Sequence, residues 1–242
     1  MKFTTQNTLA DIVKSDFRAA RIFENFNLDF CCKGNRPLSE ACIEKKLDAD
    51  AVLQQVNAVL NGATVDKSPD EWTIGELANH ILNTHHVYTK EMLPVIYAHS
   101  QKVSNVHGKN HPEVVEIAEI FSRVHDELNS HMMKEERMLF PFILSMAEAE
   151  KNNTHTAPPP FGSVSGPISV MEREHVEAGD GLYRIRELSN NYSAPEDACS
   201  TYRVLYQELN EFENDLHRHI HLENNILFPR AIELEKQLTA HN

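Results

Sequence analysis

Two segments of this chain repeat one another in outline, and no other feature of the sequence restricts the fold so tightly. His131-Met-Met-Lys-Glu135 runs on to Leu139-Phe140-Pro141, and His219-Ile-His-Leu-Glu223 runs on to Leu227-Phe228-Pro229, offset by 88 residues at every matching position. Each copy has a histidine upstream at nearly the same distance: His86 lies 45 residues before His131, and His175 lies 44 before His219. Repetition at this spacing implies a duplicated helix pair, and two such pairs closing on each other make a four-helix bundle. Apolar periodicity puts the helices at roughly 73–99, 112–149, 166–190 and 196–238. The connection from Lys151 to Gly166, with three consecutive prolines, reads as the crossover between the pairs.

The rest of the chain agrees with an all-α class. It has only 8 glycines in 242 residues and a hydrophobic fraction of 41%, enough for a real core. Ahead of the bundle, residues 1–62 read as a small helical domain. Leu9, Ile12, Val13, Phe17, Ala20 and Phe23 follow one helical period, and Leu47 to Leu60 supply another. Between them lies the turn Asp29-Phe-Cys-Cys-Lys-Gly34. A polar linker from Asn61 to Asp70 precedes a new helix near Thr73, so the bundle domain is expected over 71–240.

Helical phase decides which polar residues point inward. The seam through His131 reads Phe121, Val124, Leu128, His131, Glu135, Met138, Phe142; the seam through His219 reads Leu209, Phe212, Leu216, His219, Glu223, Ile226. His175 shares a face with Ile168, Met171, Ala178, Leu182 and Ile185. His86 shares one with Asn79, Leu82, Thr89, Leu93 and Ile96, the weakest of the four. If that phase slips by one residue, His85 takes its place. Burying unpaired carboxylates costs several kcal/mol each, so four inward histidines with two inward glutamates call for cations. Imidazole nitrogen and carboxylate oxygen without thiolate suit iron or manganese better than structural zinc. Two glutamates, one per repeat, can each bridge two metals, with the histidines shared two to each.

The remaining polar residues carry less. His217 and His221 lie about 200° around the helix from His219 and are expected to face away, as are His80 and His125. His99 is placed at a helix end, with His107 and His111 in the following loop. Glu127, Asp215 and Glu174 stand near the inward histidines and are either surface charges or partners that orient imidazoles. Cys31 and Cys32 are either ordinary thiols or a redox or partner-contact pair; Cys42 and Cys199 read as packing residues. A formal charge of −13 disfavours nucleic acid and anionic lipid. With no leader-like N-terminus, no membrane-length apolar run and two of its four cysteines adjacent, a reducing cytoplasm is expected.

With these motifs in place, the chain resembles the Repair of Iron Centres family. The resemblance rests on Phe26-Asn-Leu-Asp-Phe-Cys-Cys-Lys-Gly34, Ser130-His-Met-Met-Lys-Glu-Glu136, Leu139-Phe-Pro141, Gly166-Pro-Ile-Ser-Val-Met-Glu172, Glu174-His175, Leu222-Glu-Asn-Asn225 and Leu227-Phe-Pro-Arg230. It implies a hemerythrin-like four-helix bundle holding two bridged non-haem irons, behind a small N-terminal helical domain. Matching motif to motif carries the iron ligands onto His86, His131, Glu135, His175, His219 and Glu223, and nearby carboxylates onto Glu127 and Glu174. The implied function is repair of iron–sulfur clusters damaged by nitric oxide or peroxide, by donating iron rather than by catalytic turnover. Nitric oxide reduction and reversible binding of oxygen or nitric oxide are the alternatives. Expected partners are damaged or apo iron–sulfur proteins, with a homodimer left open.

Overall fold

The computed structural model describes residues 3–60, 69–154 and 159–239. The expected linker at 61–68 and residues 155–158 of the crossover lie outside the described residues. Every regular element described is helical, apart from an isolated antiparallel bridge between Thr8 and Pro37. Four short helices come first: α1 (Leu9–Ser15), α2 (Ala20–Asn25), α3 (Leu38–Glu44) and α4 (Ala49–Leu60). Then follow α5 (Ile74–His80), α6 (Val87–His107), α7 (Glu113–Lys134), α8 (Phe140–Asn152), α9 (Ser165–Leu188), α10 (Ser200–Leu222) and α11 (Phe228–Thr239). None of the described helices is long and apolar enough to cross a membrane.

Three wider π-helical turns join consecutive helices into longer rods: Ile81–His86 between α5 and α6, Glu135–Leu139 between α7 and α8, and Glu223–Leu227 between α10 and α11. A π turn holds an extra residue, so everything beyond it is displaced around the helix axis. This corrects two of the expected seams. Beyond Glu135 the inward residues are Leu139, Phe140 and Ile143, whereas Met138 is 49% exposed and Phe142 only half-buried. Ahead of His86 the inward residues are Leu77, Ala78 and Ile81, and Asn79 is exposed. The first seam looked weak because one period was drawn across two registers.

The chain forms two compact units. One spans Asn79 to Phe142 and Pro158 to Leu216, and holds α6, α7, α9 and most of α10. Its four helices close a ring. Helix α6 packs on α7 and α7 on α9; Arg186 of α9 meets Glu213 of α10 at 2.8 Å; Tyr88 of α6 stacks on Phe212 of α10. Phe121, Leu128, Leu182 and Phe212 fill the interior. Gly181 is where α7 comes close, since a Cβ there would lie 2.9 Å from a methyl of Val124. Helix α6 runs on to His107, so His99 is within a helix, bonded through Nδ1 to Glu208 at 2.7 Å.

The other unit takes the chain through Ala78, α8 from Ile143, and everything from His217 on. Leu9, Ile12, Phe23, Phe30, Leu38 and Val56 make its core. Thr8 caps α1 by accepting from the Asp11 N–H at 3.0 Å. At α5, Thr73 and Glu76 form a reciprocal capping box, the Thr73 N–H reaching the Glu76 carboxylate at 2.7 Å and the Glu76 N–H the Thr73 hydroxyl at 3.2 Å.

Candidate metal centre

Each of the three π turns carries an inward-facing donor at one of its ends: His86 closes the first, Glu135 opens the second and Glu223 opens the third. Widened turns of this kind are costly and recur where a function holds them in place. All six expected donors are buried, and Glu135 and Glu223 are completely so.

Hydrogen bonds to outer carboxylates set the orientation of two imidazoles. His86 bonds Glu136 through Nδ1 at 2.8 Å, and His131 bonds Glu174 through Nδ1 at 2.9 Å. With Nδ1–H donated outward, the Nε2 lone pair of each ring is turned inward, the arrangement metal-binding histidines use. Lys90 donates to Glu136 at 2.6 Å and Lys134 to Glu174, so each relay ends on a surface cation. Burial opposes ionisation of both carboxylates, but Lys90 with His86, and Lys134 with His131, outweigh it and hold them below the ordinary range.

Inside, Glu135 Oε2 lies 3.4 Å from His86 Nε2 and 3.3 Å from His131 Nε2, midway between the two rings. His175 Nε2 and His131 Nε2 are 3.0 Å apart. Two nitrogens about 2.1 Å from one ion and at right angles would be separated by about the same distance. His219 Nε2 stands 3.0 Å from Glu223 Oε1, one turn along the same helix. Within one unit, then, a single completely buried carboxylate oxygen of Glu135 faces the Nε2 atoms of both His86 and His131. The residues therefore fit a cation cluster: two completely buried carboxylates need positive charge beside them, and the donors are nitrogen and oxygen alone.

Of His85 and His86, it is His86 whose Nε2 faces Glu135; His85 is also buried but bonds Asp215 through Nδ1 at 3.0 Å. Glu174 and Asp215 contact imidazoles, whereas Glu127 is exposed. Helical phase assigns Glu136 no role, and its adjacency to Glu135 is the available signal, since neighbouring residues diverge inside a wide turn. The expectation that His217 and His221 face solvent is corrected. His221 is completely buried and its ring packs on Phe30 at 5.7 Å, while half-buried His217 packs on Phe30 edge-on at 6.1 Å. Burial pushes the His221 imidazole down to about 4, so it is neutral in the folded protein. The N-terminal helices supply the cover that phase within one helix could not reveal.

Cys31 is buried and Cys32 half-buried, with Sγ atoms 3.8 Å apart. The bond to Cys32, burial and the charge of Asp29 push the Cys31 thiol well above its ordinary value. Cys42 is buried as expected, but Cys199 is exposed, 3.2 Å from His107 Nε2.

Fold and donor set together define a helical protein that binds cations through inward histidines and glutamates. The family model described as the hemerythrin HHE cation binding domain matches residues 77–231, and a domain of unknown function (DUF542) matches 5–60. An iron-sulfur cluster repair protein YtfE from Dickeya chrysanthemi is 38% identical, covering 90% of this chain and 93% of the relative. The Cronobacter sakazakii protein of the same name is 39% identical with the same coverage, and that of Escherichia coli O81 is 36% identical over 93% and 96%. The chain belongs to the YtfE family of iron-sulfur cluster repair proteins, with a hemerythrin-type cation-binding bundle.

Proposed function

We propose that this protein repairs iron–sulfur clusters damaged by nitrosative or oxidative stress by donating iron from a carboxylate-bridged pair held in the bundle. His86, His131, His175 and His219 would be shared two to each iron, and Glu135 and Glu223 would bridge the pair. The observation that carries this reading is Glu135 Oε2, completely buried and placed midway between the Nε2 atoms of His86 and His131. Iron bound by these residues would supply redox-active, Lewis-acidic chemistry. The protein's own contribution is to orient imidazoles through Glu136 and Glu174 and to neutralise the ions with two carboxylates. No thiolate belongs to this set, so ferrous iron is held less firmly than in a sulfur cage and can be given up. Its partners on this reading are apo or damaged iron–sulfur proteins of the cytoplasm.

Incubation of the iron-loaded protein with an apo iron–sulfur enzyme, with sulfide but no other iron source, tests the reading. Reactivation above that given by equal free ferrous iron supports it, and reactivation no greater than the free-iron control overturns it. A second reading, reduction of nitric oxide with electrons from an external donor, is favoured by the donor count. Six protein donors for two irons would leave coordination positions open to a small diatomic. Catalytic rather than single-turnover formation of nitrous oxide, lost on His131→Ala, would establish it.

A further inference from the structure

The loop that joins α2 to α3 brings three further donors together, and none of them is used by the bundle. Asp29 Oδ1 accepts from the backbone N–H groups of Cys31 at 3.0 Å and Cys32 at 2.9 Å, and lies 3.2 Å from Cys31 Sγ. The two sulfurs are 3.8 Å apart. One ligand atom from each of the three residues falls within 4.8 Å of the others.

Those spacings suit a shared ion better than a sulfur–sulfur bond. Adjacent Cα atoms sit about 3.8 Å apart across a trans peptide, short of the roughly 4.4–6.8 Å that disulfides span. Two thiolates at about 2.3 Å from a tetrahedral ion, by contrast, are separated by about 3.8 Å, the spacing these sulfurs already have. The loop is also held from both sides. The Ala10 N–H donates to the Gly34 carbonyl at 2.8 Å, and Asn225 Nδ2 donates to the Cys31 carbonyl at 3.1 Å. Gly34 is required there, because a Cβ would stand 2.1 Å from the Phe30 carbonyl oxygen. Donors on a loop fixed in this way are preorganised rather than gathered by the ion.

We propose that Asp29, Cys31 and Cys32 form a second metal site, for a single thiophilic divalent cation such as ferrous iron or zinc. Binding exchanges the two thiol protons for the metal, the protons leaving to solvent; no electron moves. Three protein donors leave a fourth tetrahedral position for water or for a donor from another protein. Cys32, half-buried, is the side from which that donor arrives. The site is independent of how the bundle's ions are used.

Anaerobic titration of the reduced, metal-free full-length protein with Co²⁺ tests it, because sulfur-to-cobalt charge transfer in the near ultraviolet cannot arise from the nitrogen and oxygen donors of the bundle. The band is expected in the native protein, in Cys199→Ser and in His131→Ala. It should be lost in Cys32→Ser and Cys31→Ser and weakened in Asp29→Asn, with far-ultraviolet circular dichroism confirming that each variant is folded. Cys32 is only partly buried, so its variant keeps the test decisive if the Cys31 variant misfolds. No band in the native protein, a band surviving Cys32→Ser, or a band lost in Cys199→Ser would overturn the proposal. Each of those failures leaves iron donation from the bundle standing, and a failed reactivation assay leaves the cobalt result standing.

Discussion

Glu136 and Glu174 show how far a single side chain outside the donor set governs it. Each fixes the tautomer of a histidine by accepting its Nδ1 proton, and each is itself fixed by a lysine. Glu136→Gln and Glu174→Gln are expected to weaken metal retention by about 10–100-fold, measured by competition with a chromogenic chelator, while helical content stays unchanged. Equal retention in native and variant proteins would mean that the carboxylates are ordinary surface charges. Away from the centre, Glu213 has the opposite kind of importance. It is buried, receives Arg186 at 2.8 Å and the Tyr192 hydroxyl at 2.5 Å, and has no part in metal binding. Glu213→Ala removes the carboxylate that faces a largely buried guanidinium and should destabilise the fold by about 3–5 kcal/mol, read from the urea midpoint with metal content per folded chain unaltered.

The π turns set the register of three rods, and they are where local reasoning misplaced side chains. Periodicity through Glu135 put Met138 inside, yet Leu139 occupies the core and Met138 is 49% exposed. Lysine substitution separates the two registers. Met138→Lys should change stability by less than about 0.5 kcal/mol, and Leu139→Lys, which buries an ammonium, should cost several kcal/mol (about 3 or more). Chemical denaturation of the pair measures the difference, and the reverse ranking would restore an uninterrupted α-helix. The repeat itself hinted at these turns, since the two copies share Leu-Phe-Pro four residues after the glutamate. No composition rule marks a π turn, because the same residues favour an ordinary helix.

At the scale of the molecule, metal and fold are linked. An ion that binds only the folded state, at a free concentration 100 times its dissociation constant, adds about 2.7 kcal/mol. For a chain of this size that corresponds to a melting temperature higher by roughly 5–11 °C. Stripping the metal should therefore lower the melting point by about that much, and restoring ferrous iron should return it, as followed by calorimetry. An unchanged melting point would show that the six buried donors satisfy one another without ions.

Much of this molecule was legible in its sequence. The duplication, the four long helices and the inward placement of His131, Glu135, His175, His219 and Glu223 follow from spacing, because a helix turns by a constant angle and buried polar groups must share one face; spacing left His85 and His86 as alternatives, because the π turn beside them shifts the register. Tertiary structure decided what spacing cannot carry. It placed His221 and His217 against Phe30, nearly 190 residues earlier in the chain, and paired His86 with Glu136 and His131 with Glu174. It also left Cys199 in solvent. Periodicity describes one helix against an unspecified interior, and which residue meets which is set only when the other helices arrive.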